Sequence, residues 1–516
     1  MNNKHRFLSL AITAAITLAT FAACEKGDPL EGVSGEGDKY GQSTDPSIVE
    51  VVSFSGEYEL EDGILSGNAA VESSHAGFSG KGYVGNFTGN NDKVEITINF
   101  EESGKYDITF VNSSKNERKE NPAYIDDKVI GTIITEDDGT WQECTLKGIY
   151  VEEGERVLSV KRGWGWAYFD KVTVAPGEGI DRGIYEVSST LVNPGADKNT
   201  KRLMKFLTDV YGDYIISGQY SGATKVSSEF TNIYEITGRY PAMAGFDLME
   251  YTPSRVEFGS GSSDVDNAIR WWEQDGGIVT FCWHWNAPTK YLINTPSNPW
   301  WRGFYADATN IDLAKIMNGE DEEGYNLLIS DIDAIAVQLK VLEDAGVPVL
   351  WRPLHEASGG WFWWGAAGAE PLVELWQLMY DRLTNHHKIN NLIWVWNGQD
   401  GPWYPGDEYV DIIGEDVYGG AREYSSKLDR FNKAVDYTDT KKIIAMTEND
   451  TLFDPDLAIR DGNMWAWFGT WVGEFVVDEK EYSEEYTEKS MLDRVYNHAR
   501  VITLDELPDL KKYPLK

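Results

Sequence analysis

Two patterns of apolar and polar positions divide the chain. From Val51 to Val174, short stretches alternate apolar with polar residues, as in KVEITINF (93–100), KYDITFVN (105–112), ERVLSVKR (155–162) and FDKVTVAP (169–176), with Gly, Asn and Asp turns between them. A period of two turns one face of each strand inward, so residues 49–177 are predicted to form an all-β sandwich of the jelly-roll kind. The segment APGEGIDRG (175–183) has the composition of a linker, and after it the period changes. Near-continuous apolar runs follow at 213–220, 241–248, 276–285, 347–356, 391–398, 410–418, 441–449 and 464–471, separated by helical patterns such as 264–274, 331–346 and 370–385. Strands buried on both faces read in this way. Eight βα units over roughly three hundred residues predict a (β/α)8 TIM barrel for residues 184–516. A doubly wound sheet would bring a Gly-rich phosphate turn after a strand, and none is present.

In such a barrel the reacting groups gather where strands end, so the residues closing each run carry the chemistry. Strand four closes in His355-Glu356, strand seven in Thr447-Glu448-Asn449, strand three in His284-Trp285, strand six in Asp416-Val417-Tyr418 and strand eight in Trp471. Two carboxylates converging on one cleft from strands four and seven suit glycoside hydrolysis, with Glu356 as acid/base and Glu448 as nucleophile. Arg352 is expected to hydrogen-bond Glu448 or brace the barrel floor. His355 is expected to orient a sugar hydroxyl or the neighbouring carboxylate. His284 invites a zinc reading with His355 and Glu356, but no HExxH spacing accompanies it, and no catalytic metal or cofactor is expected.

WRPLHEASGGWFWWG (351–365) sets that His-Glu pair among aromatics. Sugar rings lay C–H faces on indoles and offer hydroxyls at their edges, so a Trp-rich cleft with Glu, His and Asn suits a polysaccharide. Trp300, Trp301, Trp361, Trp363, Trp364, Trp396 and Trp403 fall in or beside strand-end loops; core packing competes for several, and is expected to claim Trp351 and Trp394.

Composition narrows the partner. The chain is 41% hydrophobic and 13% aromatic with 20 Trp, enough to fill cores and still leave rings for binding, and its formal net charge of −38 disfavours nucleic acid and anionic lipid. Residues 1–24 read as an export leader: Lys4 and Arg6 precede an apolar run that ends in small residues before Cys24. Phe21-Ala22-Ala23-Cys24 resembles a bacterial lipobox, in which the Cys is lipidated, and the acidic residues Glu25 and Asp28 behind it resemble the surface-export signal of Bacteroidetes lipoproteins. An outer-membrane lipoprotein is expected, at the cell surface or on the periplasmic face, with 25–48 as a flexible Gly/Ser/acidic tether. Cys144 and Cys282 fall in different predicted domains, so no disulfide is expected.

On WRPLHE with GGWFWWG, the SGQ of strand one (217–219), the WHW of strand three and the TEN of strand seven, the barrel resembles glycoside hydrolase family 26, a retaining (β/α)8 family whose members are mostly endo-β-1,4-mannanases. The resemblance implies Glu356 as acid/base, Glu448 as nucleophile, His355 and Tyr418 as their positioning partners, and His284, Trp301, Trp361 and Trp471 as sugar contacts, with Trp300 unranked against Trp301. Val472 stands where some members carry an Arg that contacts substrate, so the outer subsite departs from theirs. On EYELEDG, AGFSGKGYVGNF (76–87) and GWGWAYFDKVTV (163–174), the sandwich resembles carbohydrate-binding modules of families 6 and 35. That implies a structural calcium on Glu59, Glu61 and Asp170 and a sugar platform at Trp164 and Trp166. The expected substrate is β-mannan, cut by a monomer. A few family members cut β-1,3-xylan or mixed-linkage glucan, and a non-catalytic glycan-capture lipoprotein is the reading from another class; the strand-end glutamate pair favours the enzyme.

Overall fold

The computed structural model describes residues 52–515 apart from 116, 137 and 164–166. The leader, Cys24, the tether, Trp164 and Trp166 lie outside the described residues.

Two antiparallel sheets form the N-terminal sandwich. One runs in the order Ala70–Glu72, Tyr83–Gly85, Tyr168–Pro176, Gly104–Ser113, Gln142–Val151, with Gly56–Glu59 also on Tyr168–Pro176. The other runs Ile64–Ser66, Lys93–Phe100, Gly154–Lys161, Lys119–Ile125, Lys128–Thr135. The period-two pattern explains the packing: Tyr106, Ile108 and Phe110 of one strand face inward and are fully buried, as are Ile98 and Phe169 from strands on either sheet.

Eight parallel strands close the barrel: β1 (Gly218–Tyr220), β2 (Met243–Asp247), β3 (Ile278–Trp283), β4 (Val349–Pro353), β5 (Leu392–Trp396), β6 (Ile412–Val417), β7 (Ile443–Asn449) and β8 (Phe468–Thr470). Every residue of β3 to β7 is buried, which is why these runs read as uninterrupted apolar text. The run at 213–220 divides: Ile215–Ile216 pairs with Val501–Ile502 beside the barrel, and only Gly218–Tyr220 joins it. The helical pattern at 331–346 belongs to a longer helix, Glu322–Asp344, started by the Asp321 side chain accepting from the Gly324 amide. The pattern at 264–274 ends in a π-turn, Trp271–Asp275.

The linker segment is not loose. Pro176 completes a sandwich strand, the Gly177 amide donates to the Lys105 carbonyl, and Ile180 packs against both cores. The sandwich rests on the barrel helix Leu428–Val435, whose Leu428 enters the sandwich core, and the Thr132 amide donates to Asp429 Oδ2 at 3.0 Å. Lys105 Nζ donates to the Asp461 carbonyl at 2.9 Å, and the Arg460 guanidinium lies 5.0 Å from the Tyr150 ring centre.

Candidate active site

The site forms where β4 and β7 end. Glu356 lies just past β4 in left-handed backbone (φ 53°), as does Leu354 (φ 52°), a conformation that disfavours side chains and persists where its surroundings fix it. The fixing contact is at the end of β5: the Glu356 amide donates to the Asn397 carbonyl at 2.8 Å and to Asn397 Oδ1 at 3.1 Å. On β7 the pairing with β6 skips Thr447, since Glu415 pairs with Met446 and Asp416 with Glu448. Such a bulge re-aims a side chain, here that of Glu448. Thr447 Oγ1 donates to Asp416 Oδ1 and accepts from Asn397 Nδ2, each at 2.7 Å, tying β5, β6 and β7 beneath the two glutamates.

One oxygen from each of Glu356, Asp416 and Glu448 lies within 4.8 Å of the others. The fully buried Arg352 of β4 divides its fork between Asp416 Oδ2 (2.9 Å) and Glu448 Oε1, with Tyr220 Oη at 3.2 Å. Both expected roles of Arg352 are therefore present at once. Tyr418 Oη donates to the other oxygen, Glu448 Oε2, at 2.6 Å. Glu448 is thus held by two donors from different strands. Among the described residues no ion pair reaches Glu356, and Trp361 Nε1 donates to its Oε2 at 3.0 Å. Burial, reinforced by the Glu448 charge, pushes the Glu356 carboxyl up to about 7 against the opposing pull of Arg352 and the Trp361 N–H. One carboxylate clamped and another holding its proton near neutrality is the division of labour acid-assisted displacement needs.

His284 and His355 meet Nε2 to Nε2 at 3.2 Å. Burial alone would lower the His284 pKa, but Asp247 at the end of β2, 2.6 Å from His284 Nδ1, outweighs it and holds the ring above its ordinary value. Burial, then Arg352 and His284, drive His355 well below its own. One Nε2 donates to the other across this contact, and the opposite shifts favour His284 as the donor. Asp247 is a site residue that strand-end reading missed, because a lone Asp gains meaning only from the His it faces on the next strand. Trp471 stands 4.7 Å from the Tyr220 ring and 5.7 Å from that of His284, flooring the same mouth.

Seven of the expected residues, Glu356, Glu448, His284, His355, Trp361, Tyr418 and Trp471, thus share one pocket mouth. Trp301 stands apart on the β3 loop, 52% exposed, while its neighbour Trp300 stacks on Phe258 at 4.8 Å, so the exposed indole of the pair is Trp301. That loop is joined to the β4 loop by the Ala306 amide donating to the Trp361 carbonyl at 2.7 Å. Trp363, Trp364 and Trp396 are fully buried, so core packing takes them out of the sugar-contact candidates: Trp363 Nε1 donates to the Trp285 carbonyl and Trp364 Nε1 to that of His355. Trp403 is partly buried against the same core. Trp351 and Trp394 are buried as core residues.

Two clusters at this mouth have metal-like spacing, Asp247 with Cys282 and His284, and the three carboxylates. Their atoms are already engaged, the first by an Asp–His hydrogen bond and a Cys282 thiol that burial holds protonated, the second by Arg352, Thr447, Tyr418 and, at Glu356, Trp361.

In the sandwich, Glu59, Glu61 and Asp170 also bring oxygens within 4.8 Å. Ser79 donates to Glu59 and Asp170, the Lys81 amide donates to Glu61 Oε1, and the buried Glu61 Oε2 has no hydrogen-bond partner among the described residues. At one end of the sandwich the rings of His75, Tyr83, Trp141 and Tyr168 cluster at 4.9–6.3 Å, and neither atom of the buried Asn112 amide on a neighbouring strand is paired among the described residues. This group draws on four separate strands and loops, and no local pattern in the sequence announces it.

An eight-stranded barrel with one clamped and one proton-holding carboxylate at its mouth, ringed by indoles, defines a glycoside hydrolase. Residues 192–506 match the model of glycosyl hydrolase family 26, and residues 56–177 that of carbohydrate binding module family 35. A mannan endo-1,4-beta-mannosidase of Thermothelomyces thermophilus is 40% identical over 452 residues, covering 87% of this chain and 90% of its own, and mannan endo-1,4-beta-mannosidase A of Piromyces sp. is 31% identical over 469 residues, covering 89% and 74%. The crystal structure of the Podospora anserina GH26-CBM35 beta-(1,4)-mannanase superposes with a TM-score of 0.63 at 37% identity, covering 89% of this chain and 99% of that one. The chain belongs to glycosyl hydrolase family 26.

Proposed function

We propose that this protein is a retaining endo-β-1,4-mannanase acting on mannan, galactomannan or glucomannan. The observation that carries the chemistry is the approach of Glu356 and Glu448 to within 4.8 Å, the short spacing of double displacement; inversion needs room for a water between the carboxyls. Glu448, oriented by Arg352 and Tyr418, attacks the anomeric carbon as Glu356 gives its proton to the leaving oxygen. Glu356 then takes a proton from the water that releases the glycosyl-enzyme ester. His284, Trp301, Trp361 and Trp471 supply sugar contacts, and His355 keeps His284 in register. The mannan assignment rests on the 40% identity to the Thermothelomyces enzyme across both domains. Purified protein offered mannan, galactomannan, glucomannan, β-1,3-xylan and mixed-linkage glucan should release oligosaccharides from the first three fastest. Faster release from xylan or mixed-linkage glucan would replace the substrate, and no release from any would leave a capture protein.

The sandwich serves as a polysaccharide-binding module, with the His75–Tyr83–Trp141–Tyr168 rings as its sugar platform. Glu59, Glu61 and Asp170 fit a structural calcium, being all-oxygen donors with one buried oxygen left over. Chelator should then lower the melting temperature of the module and added calcium restore it, whereas an unchanged melt would remove the ion. The leader and Cys24 support export as a lipid-anchored outer-membrane protein. Labelling cells with a fatty-acid analogue should tag the wild-type chain but not Cys24→Ser, and equal labelling of the two would disprove the anchor.

A further inference from the structure

Between sandwich and barrel runs a groove of about 680 Å³, within the range on the order of 300–1,000 Å³ typical of small-molecule sites. The strands and turn at 125–132 and 149–156 form one wall, and the barrel segment 417–430 forms the other. Val417 and Tyr418 are among the residues that line this groove, and Tyr418 is the residue whose hydroxyl donates to Glu448. The groove and the catalytic mouth therefore share Tyr418 in their linings.

We propose that this groove binds the stretch of polysaccharide that leaves the catalytic mouth past Tyr418, so that sandwich and barrel together form an extended subsite for long chains. The proposal rests on the mannanase reading above. Three features of the groove support it. It is a fixed feature, because Leu428, the Thr132–Asp429 hydrogen bond and the Lys105–Asp461 hydrogen bond set the sandwich in place. Part of its charge is matched inside the walls: Arg156 pairs with Asp126 at 3.2 Å, Lys427 pairs with Glu423, and Arg460 pairs with Asp461 at 2.7 Å. Paired side chains offer donors and acceptors without net charge, which suits a neutral polyol, and the chain's net charge of −38 disfavours an anionic occupant. Tyr424 on the barrel wall and Tyr418 at the mouth add ring surface of the kind sugars stack on. A polymer held at two places along its length gains from local concentration, and an oligosaccharide too short to reach the groove does not.

The test blocks the groove from either wall without touching the reacting groups. Val129→Trp fills it from the sandwich and Ser425→Trp from the barrel, with Val129→Ala as the control that leaves it open. Values of kcat/KM are measured on a ladder of linear manno-oligosaccharides and on soluble mannan, using variants whose thermal melts match wild type. The wild type should gain kcat/KM with chain length. Each tryptophan variant should lose about five- to tenfold on the longest substrates, the equivalent of roughly one hydrogen bond or stacked ring, and stay within about twofold of wild type on the shortest; Val129→Ala should follow wild type throughout. Two barrel-side and sandwich-side blocks keep the test alive if one distorts the interface. If an active wild type and both tryptophan variants agree at every length, or lose equally at every length, the groove is an interface crevice and the proposal falls while the mannanase reading stands. A wild type inert on every mannan would overturn both.

Discussion

The hydrogen bond from Trp361 to Glu356 makes a prediction whose sign and size both follow from the structure. Trp361→Phe keeps an aromatic face but removes the N–H that donates to Glu356 Oε2 at 3.0 Å. That donor favours the ionised carboxylate, so its loss raises a pKa that already stands at about 7. A hydrogen bond to a charged group is worth about 1.5–3 kcal/mol when buried. Trp361 is 48% exposed, so water takes up part of the lost interaction, and about half of that value, roughly 0.75–1.5 kcal/mol, is the fair expectation. At 1.36 kcal/mol per unit this amounts to about half to one pH unit. The proton on Glu356 must be present for leaving-group protonation, so the alkaline limb of kcat/KM reports this group in the free enzyme. In the wild type the limb should fall near pH 7; in Trp361→Phe it should move to higher pH by that amount, while KM rises through weaker stacking. The assay is kcat/KM on soluble mannan between about pH 4 and 10. A limb that moves down, or stays fixed as KM rises, would mean that Trp361 only stacks on sugar and that Glu356 owes its proton to other causes.

Three further expectations concern neighbouring residues. Glu356→Ala should cripple hydrolysis of mannan yet spare aryl glycosides with good leaving groups, which need no proton; equal losses on the two would count against the acid role. Tyr418→Phe removes one of the two donors on Glu448 and should lower kcat/KM about ten- to a hundredfold with little change in KM, and a loss under about threefold would show that Arg352 suffices alone. Asp331, buried in the helix behind Trp285 and accepting from its indole N–H at 2.8 Å, is pushed by burial to about 7. The folded protein therefore binds more protons than the unfolded chain between the ordinary carboxylate range and pH 7, so stability falls as pH rises through that window. Asp331→Asn should remove this slope and gain on wild type between about pH 4 and 7 in denaturant titrations; parallel curves would show that Asp331 is not the source.

Much of this was legible in sequence because parallel barrel strands are buried on both faces and betray themselves as apolar runs, with the reacting residues at their ends. IIAMTEN is buried at every position, and its last three residues are the site's own. The sequence could not display what depends on convergence. Asp247 matters only because His284 arrives beside it, and the bulge at Thr447 is a property of pairing, not of composition. Trp363 and Trp364 looked like sugar contacts because GGWFWWG is a loop, but the loop folds back, and their indole N–H groups bond carbonyls beneath it. The segment 175–183 has a linker's composition, yet Ile180 and Leu428 join the two cores through contacts distant in the chain.

A retaining reaction requires Glu448 to meet the sugar directly, with Glu356 too near for an intervening water. The anomeric configuration of the first product reports this without altering the protein. Proton NMR during the first turnovers on a β-linked manno-oligosaccharide should show the β-anomer appearing first and the α-anomer only later through mutarotation. Initial appearance of the α-anomer would contradict the account, whatever the distance between the two carboxyls.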